Sequence, residues 1–166
     1  MGMAVCFAAV APDVLARLRA APDEVEGYLM PDGEEEDEPP NSTDVDKAWH
    51  GIHYLLTGSA WEGREPFRWA IMGATDIGPD LGMGSARCLT PEQVIRLSAA
   101  LDSLTTDELN ARFDPQDMQD KGIYPEVIWV RDGEDALDYL LGNLTHLVDF
   151  YRDAAARGDG VLLWTC

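Results

Sequence analysis

A long amphipathic segment near the end of the chain, residues 134–157, most constrains the fold. Its apolar side chains recur at the spacing of an α-helix: Leu137, Leu140, Leu141, Leu144, Leu147, Val148 and Tyr151. This period predicts a helix with one apolar face, which Gly158 ends. Such a face has to be covered by other elements, so the rest of the chain is expected to pack against this helix.

Other helices are predicted from local start signals. Proline after alanine at Pro12 and Pro22 suits the first turn of a helix, and Thr90, Thr105 and Asp114 offer capping oxygens ahead of apolar residues. The predicted helices cover 12–20, a turn or two after Pro22, 45–56, and short helices that begin at Thr90, Thr105 and Asp114. For the 45–56 helix, we expect Ser42, Thr43 or Asp44 as the cap and Gly58 as the stop.

Strands are predicted from short apolar or β-branched runs, at 2–9, 67–72, 87–89, 123–130 and 161–164. The glycine-rich stretch 73–84 is expected to be a long loop. With 166 residues, 46% of them apolar, and no internal repeat, we predict one compact α+β domain. Its small mixed sheet would pack against several helices, including the long C-terminal one.

The charge of the chain restricts its partners. It has 12 Lys and Arg residues against 31 Asp and Glu residues, a formal net charge of −19. Nucleic acids and anionic membranes attract basic surfaces, so neither is expected as a partner, whereas a basic protein is possible. The acidic run from Asp32 to Glu38 predicts a solvated loop at about 30–43, because it lacks the ligand pattern of a calcium loop.

The cysteines and the apolar start of the chain bear on its compartment. Cys6, Cys88 and Cys166 lie far apart and form no CxxC pair, so no disulfide framework is expected and a reducing cytoplasm is the simplest setting. The start has no basic region, and its apolar run is too short for a signal peptide or a membrane helix. We therefore expect a soluble cytoplasmic protein.

The 45–56 helix carries most of the candidate site residues. His50 and His53 could face one metal ion, but four-ligand spacing is absent, so we expect one surface and one partly buried histidine and no metal or cofactor. Asp46, His50 and Tyr54 form a polar stripe beside Lys47, which could orient a histidine as a general base or could be an ordinary exposed face.

A second group of candidate residues follows this helix. The 73–84 loop lacks the lysine and the spacing of a phosphate-binding loop, and Asp76 and Asp80 would repel a phosphate. The loop could still form the rim of a pocket with Trp61, Trp69 and Arg87, where Arg87 is the candidate for an anionic ligand. Trp49, Trp129 and Trp164 are expected in the core, whereas Trp61 is the better candidate for a contact surface.

Several sequence blocks resemble the YfbM-like family of bacterial proteins. The blocks cover residues 1–3, 44–58, 81–92, 111–115, 123–125 and 150–158, and the most distinctive contains Asp-Lys-Ala-Trp-His at 46–50. The family is a domain of unknown function, so the resemblance implies a compact bacterial cytoplasmic α+β domain and no established activity.

Two functions remain open at this point. The first is a non-catalytic binding module with an acidic surface, for example an immunity-type partner of a basic toxin or nuclease, because opposite charge speeds encounter. The alternative is a small-ligand-binding protein or enzyme whose site is formed by the 44–58 helix and the 73–89 glycine-rich segment. The absence of a recognisable nucleophile and base pair favours binding over catalysis.

Overall fold

A computed structural model describes residues 2–31 and 38–166. The strands are β1 (Val5–Val10), β2 (Ser42–Asp44), β3 (Thr75–Asp80), β4 (Ser85–Leu89) and β5 (Gly160–Thr165). The helices are α1 (Pro12–Ala20), α2 (Val25–Leu29), α3 (Trp49–Thr57), α4 (Trp69–Met72), α5 (Pro91–Asp102), α6 (Thr106–Arg112), α7 (Pro115–Asp120), α8 (Ile128–Asp132) and α9 (Glu134–Arg157). The chain is a single α+β domain, as predicted.

One five-stranded sheet, in the order β2-β1-β5-β4-β3, divides the domain into two apolar layers. Every pairing is antiparallel, so the expectation of a mixed sheet is wrong in this respect. One face carries Phe7 and Leu163 and packs against α3, α5 and α9, whereas the other carries Ala8 and Leu162 under α1 and α2. Alternate residues of each strand therefore contribute to opposite layers.

The helices that begin with capping residues are confirmed. Thr90 and Thr105 both form complete capping boxes, and Asp114 accepts a hydrogen bond from the backbone N–H of Asp117. The long helix α9 runs over the predicted range and ends at Gly158, whose φ of 74° suits a residue without a side chain.

Two predicted strands are wrong. Residues 67–72 contain the short helix α4, and residues 123–130 form a turn followed by α8. Trp69 and Ile71 are buried in the first segment and Trp129 in the second. Short apolar runs are buried equally well as helical turns, so the pattern alone does not separate the two structures.

The predicted glycine loop at 73–84 is largely a β-hairpin made of β3 and β4. Gly82 and Gly84 have positive φ angles, and the side chain of Asp80 accepts hydrogen bonds from both of their backbone N–H groups. Glycine supplies the positive φ that the turn needs, so the same residues that indicate a loop also make a hairpin possible.

The start of the third helix also differs from the prediction. Ser42, Thr43 and Asp44 do not cap it but form the edge strand β2, and α3 begins only at Trp49 after a 3-10 turn at Asp46–Ala48. The Asp44 side chain instead accepts a hydrogen bond from the backbone N–H of Asp46, 2.7 Å away. The predicted acidic loop at about 30–43 therefore ends earlier, and its 32–37 part lies outside the described residues.

The structure contains one disulfide, although the sequence predicts no disulfide framework. Cys6 and Cys166 are joined, and Cys88 is a buried free thiol. The antiparallel pairing of β1 with β5 brings the two ends together, which no spacing along the sequence could indicate. The disulfide therefore removes the cysteine pattern as an argument for a reducing cytoplasm. None of the helices in the described ranges is long and apolar enough to cross a membrane.

Candidate functional site

A cavity of about 240 Å³ opens near the place where β1 begins and β5 ends. Val5 and Thr165, which face each other across these strands, line it from the sheet, and Arg87 lines it from β4. Trp49 and Trp61 contribute aromatic surface. The structure thus brings together Trp61 and Arg87, two of the residues that the sequence proposes for a pocket.

The aromatic surface of the cavity is partly open to solvent. The side chain of Trp61 is 59% exposed, although its ring centre lies only 4.5 Å from that of His50. The ring of Trp49 stacks on His50 at 4.7 Å and lies 5.8 Å from Tyr124. Exposed tryptophan on a packed aromatic base is typical of a contact surface.

The segment before β1 is tied to the same aromatic cluster. The indole N–H of Trp49 donates to the carbonyl oxygen of Met3 over 3.0 Å, and the backbone N–H of Met3 donates to the hydroxyl of Tyr124 over 3.1 Å. Met3 lines the cavity and is exposed, as is Met83 from the β3–β4 turn. These two flexible apolar side chains border the opening.

Arg87 places a cation inside this apolar lining. It lies opposite Leu163 of β5, on the face of the sheet that packs against α9. Its Nε atom is buried without a hydrogen-bond partner, and Arg87 forms no ion pair with any residue in the described ranges. Burial lowers the pKa of Arg87, while the nearby carboxylate of Asp76 raises it in part. A desolvated guanidinium of this kind favours an anionic partner.

Gly73 makes room for Arg87. A Cβ atom at position 73 would lie 2.5 Å from the Cβ of Arg87, and Gly73 has a φ of 67°. Both the close approach and the positive φ require glycine here.

His50 is already fully hydrogen-bonded inside the protein. Its Nε2 atom lies 2.8 Å from the carbonyl oxygen of Ala60, and its Nδ1 atom accepts from the backbone N–H of Tyr124 over 2.9 Å. Burial lowers its pKa, so the ring is held neutral with both nitrogens occupied. It supports the aromatic surface and has no free nitrogen to act as a base.

His53 lies on the same helix but belongs to a different environment. Its Nε2 atom lies 2.8 Å from the carbonyl oxygen of Glu62, and its buried Nδ1 atom has no partner among the described residues. Burial lowers its pKa to about 4, and the charge of Arg68 acts in the same direction. Both histidines are buried, so the expectation of one surface and one partly buried histidine is wrong.

The other candidates on the 44–58 segment do not gather around the cavity. Asp46 accepts a hydrogen bond from Tyr139 at 2.9 Å, and Tyr54 donates to Asp117 at 2.7 Å. Burial raises the pKa of Tyr54, with Asp117 adding to the effect. Lys47 is exposed beside Gly2. The polar stripe therefore connects the 44–58 segment to separate neighbours and does not form one catalytic group.

The described residues contain no cluster of three or more His, Cys, Asp or Glu side chains that could hold a metal ion. Of the residues that line the cavity, sequence reasoning proposed Trp61 and Arg87 and missed the others, which are Met3, Val5, Trp49, Ile71, Met72, Met83 and Thr165. Trp49 was predicted to be core and is indeed buried, as are Trp129 and Trp164.

Two other depressions lie along α9. One of about 570 Å³ is bordered by α5, α6 and α9, with Leu104, Leu141 and Val148 among its apolar residues. Arg152 at its edge pairs with Asp102 and Asp149. A smaller one of about 340 Å³ lies between β2 and the end of α9. Neither contains the residues proposed from sequence.

Comparison with known proteins identifies relatives without assigning an activity. The family model described as "Domain of unknown function (DUF1877)" matches residues 1–164. The crystal structure of a protein of unknown function, YfbM from Escherichia coli, is similar to this chain with a TM-score of 0.74 and 21% sequence identity. The likeness covers 96% of this chain and 98% of that one, which bears out the fold and the YfbM-like resemblance. No curated protein matches the sequence.

Proposed function

Because this chain belongs to the DUF1877 family, whose function is unknown, we propose from its own site that it is a non-catalytic binding module. The site is the cavity lined by Trp49, Trp61 and Arg87. The observation that carries the proposal is that an exposed tryptophan and a half-buried arginine, which forms no ion pair among the described residues, line one cavity. Apolar surface with a few placed polar groups is the usual composition of a small-molecule site.

Binding is favoured over catalysis by how the titratable groups near the cavity are used. Both nitrogens of His50 are engaged by backbone groups, and Tyr124 and Trp49 bond to Met3. A general base needs a free lone pair within reach of the substrate proton, and the lone pair on Nδ1 of His50 already accepts a hydrogen bond from Tyr124. Arg87 can attract and orient a ligand but does not supply an acid or a base at neutral pH.

A fragment screen by ligand-detected NMR tests this proposal. We expect some small aromatic compounds to bind the wild-type chain and to lose binding in Trp61→Ala. Ile95→Ala is the matched control, since Ile95 is also an exposed apolar residue but lies on α5, away from the cavity. Fragments that bind equally to the wild type and to Trp61→Ala would place the site elsewhere, and a fragment that is chemically converted would show that the protein is an enzyme.

A basic protein partner is the second candidate, and the balance of ion pairs favours it. Although the chain has 31 acidic residues, the carboxylates that form ion pairs in the described ranges are those of Glu24, Asp102, Asp117, Asp132, Asp149 and Asp159. Many exposed carboxylates are therefore available to bind a cationic protein surface. In an immunity-type role, this surface would be that of a basic toxin or nuclease. We exclude nucleic acid and anionic membranes as partners on the grounds of charge alone. The proposed cytoplasmic compartment does not rest on charge, and the Cys6–Cys166 disulfide is more typical of an oxidising compartment.

Native mass spectrometry of tagged protein recovered from its host distinguishes the two candidates. A stoichiometric basic protein that dissociates as salt rises would support the second one, because charge pairing is screened by salt. Recovery without any stoichiometric protein would count against it. A bound small molecule would instead support the cavity.

A further inference from the structure

We infer that the cavity takes a small aryl carboxylate, with its ring against Trp61 and its carboxylate at Arg87. The inference rests on the proposed binding function and specifies the chemical class of the ligand. It follows from the volume of the cavity, from the charge inside it and from the chemistry of its opening.

The volume limits the ligand to a single ring with a short substituent. The cavity measures about 240 Å³, whereas an engineered apolar cavity of about 150 Å³ holds benzene and drug-sized ligands occupy roughly 300–1,000 Å³. A ring with an acetate-sized side chain therefore fits, and a nucleotide or other large cofactor does not.

The charge selects a carboxylate over an amine or a phosphate. The guanidinium of Arg87 forms no ion pair with a described residue. Its Nε atom is buried, whereas its terminal nitrogens are not among the buried unpaired atoms, so a carboxylate in the cavity could accept from these terminal N–H groups in the two-point geometry that arginine prefers. Among the described residues that line the cavity, Arg87 is the one basic residue. A doubly charged phosphate has three acceptor oxygens and would need more hydrogen-bond donors than one guanidinium supplies. An amine would meet a cation of like charge. The net charge of −19 further disfavours a polyanion.

The lining suits an aromatic ring. Trp61 is 59% exposed and rests on the packed rings of His50 and Trp49, so a ligand ring can stack on it without rearranging the base. Met3, Met72 and Met83 line the same space, and their flexible thioethers make favourable contacts with aromatic edges. A purely aliphatic acid would use less of this surface.

Calorimetric titration with three probes of similar size tests the ligand class on the full chain. Phenylacetate, phenylacetamide and phenethylamine share a ring and differ in charge. We expect phenylacetate to bind at least about tenfold more tightly than the amide to the wild type and the amine to bind least. Arg87→Met should remove the preference for the carboxylate while leaving amide binding, and Arg87→Lys should retain part of it because the charge remains.

The outcomes separate the two proposals. If the amide binds as well as the carboxylate and both need Trp61, the carboxylate assignment is wrong and the cavity remains the site. If none of the three probes binds, the aryl-carboxylate inference is overturned, and the fragment screen with Trp61→Ala still decides the binding function. Because the wild-type comparison needs no substitution, failure of an Arg87 variant to fold leaves the test intact, and Ile95→Ala again serves as the matched control.

Discussion

His50 accepts a hydrogen bond from the backbone N–H of Tyr124, with 2.9 Å between Nδ1 and the nitrogen. This contact joins α3 to the turn that precedes α8, and it uses the lone pair that a catalytic histidine would need. The opposite ring nitrogen faces the carbonyl of Ala60. His50, which the sequence offers as a candidate general base, therefore serves to hold the aromatic cluster in place.

We predict that His50 stays neutral over the physiological pH range. Burial lowers its pKa, and protonation of Nδ1 would break the bond from Tyr124. Two-dimensional NMR of the ring nitrogens, assigned with His50→Gln, should show a neutral ring with the proton on Nε2 at pH 7. A protonated ring, or a proton on Nδ1 at that pH, would contradict the assigned hydrogen bonds.

A second prediction concerns His53 and acid stability. Its pKa is lowered from 6.5 to about 4 in the folded chain, so the unfolded chain binds a proton at higher pH than the folded one. The stability tied to the neutral ring is fully present above pH 6.5 and is lost as the pH falls from 6.5 towards 4. The full effect is on the order of 3 kcal/mol.

Urea denaturation of the wild type and His53→Gln at several pH values measures this effect. The many carboxylates titrate in both proteins, so the difference between the two curves isolates His53. We expect the free energy of unfolding of the wild type to fall relative to the variant between pH 6.5 and 4. Parallel curves would mean that His53 titrates alike in the folded and unfolded chains.

Helix starts could be predicted because their chemistry is local. Thr90 and Gln93 satisfy each other's backbone N–H groups within one turn, and proline follows at position 91. Such signals lie within a few residues and need no tertiary information. The 123–130 segment was misassigned because its apolar residues are consistent with either structure, and the burial of Trp129 under neighbouring helices decides it.

The candidate site could be predicted only in part, for a similar reason. Trp61 and Arg87 stood out as an exposed aromatic residue and a possible anion partner, and they line one cavity. Met3 could not be placed there, because its position depends on β1 pairing with β5, and Cys6 joins Cys166 for the same reason. Contacts between residues so far apart are set by the sheet and leave no periodic signal in the sequence.

A third prediction concerns the close packing of α3 against α8 and α9. A Cβ atom at Gly51 would lie 2.5 Å from Cδ2 of Leu140 and 2.7 Å from the ring of Trp129. We expect Gly51→Ala to destabilise the protein by about 1–3 kcal/mol, because overpacking a filled core outweighs the higher helix propensity of alanine. Chemical denaturation measures the change.

Gly142→Ala is the matched control for this substitution. Gly142 lies within α9, is exposed, and a Cβ there would meet no atom within 4 Å. Alanine should therefore stabilise the helix by up to about 1 kcal/mol. Equal effects of the two substitutions would show that helix propensity, and not the approach of Leu140, governs position 51.

The last prediction concerns the disulfide between Cys6 and Cys166, which closes a loop with a sequence separation of 160. Restricting so long a loop in the unfolded chain stabilises the folded state by about 3–5 kcal/mol in the chain-entropy account.

Protein purified without reductant and then denatured should show one reactive thiol, that of Cys88, and three after reduction. Reduction should lower the denaturation midpoint of the wild type but not that of the Cys6→Ser, Cys166→Ser double variant. Three thiols in the unreduced chain would mean that the bridge does not form, and an unchanged midpoint would mean that the bridge does not stabilise the folded state through the unfolded chain.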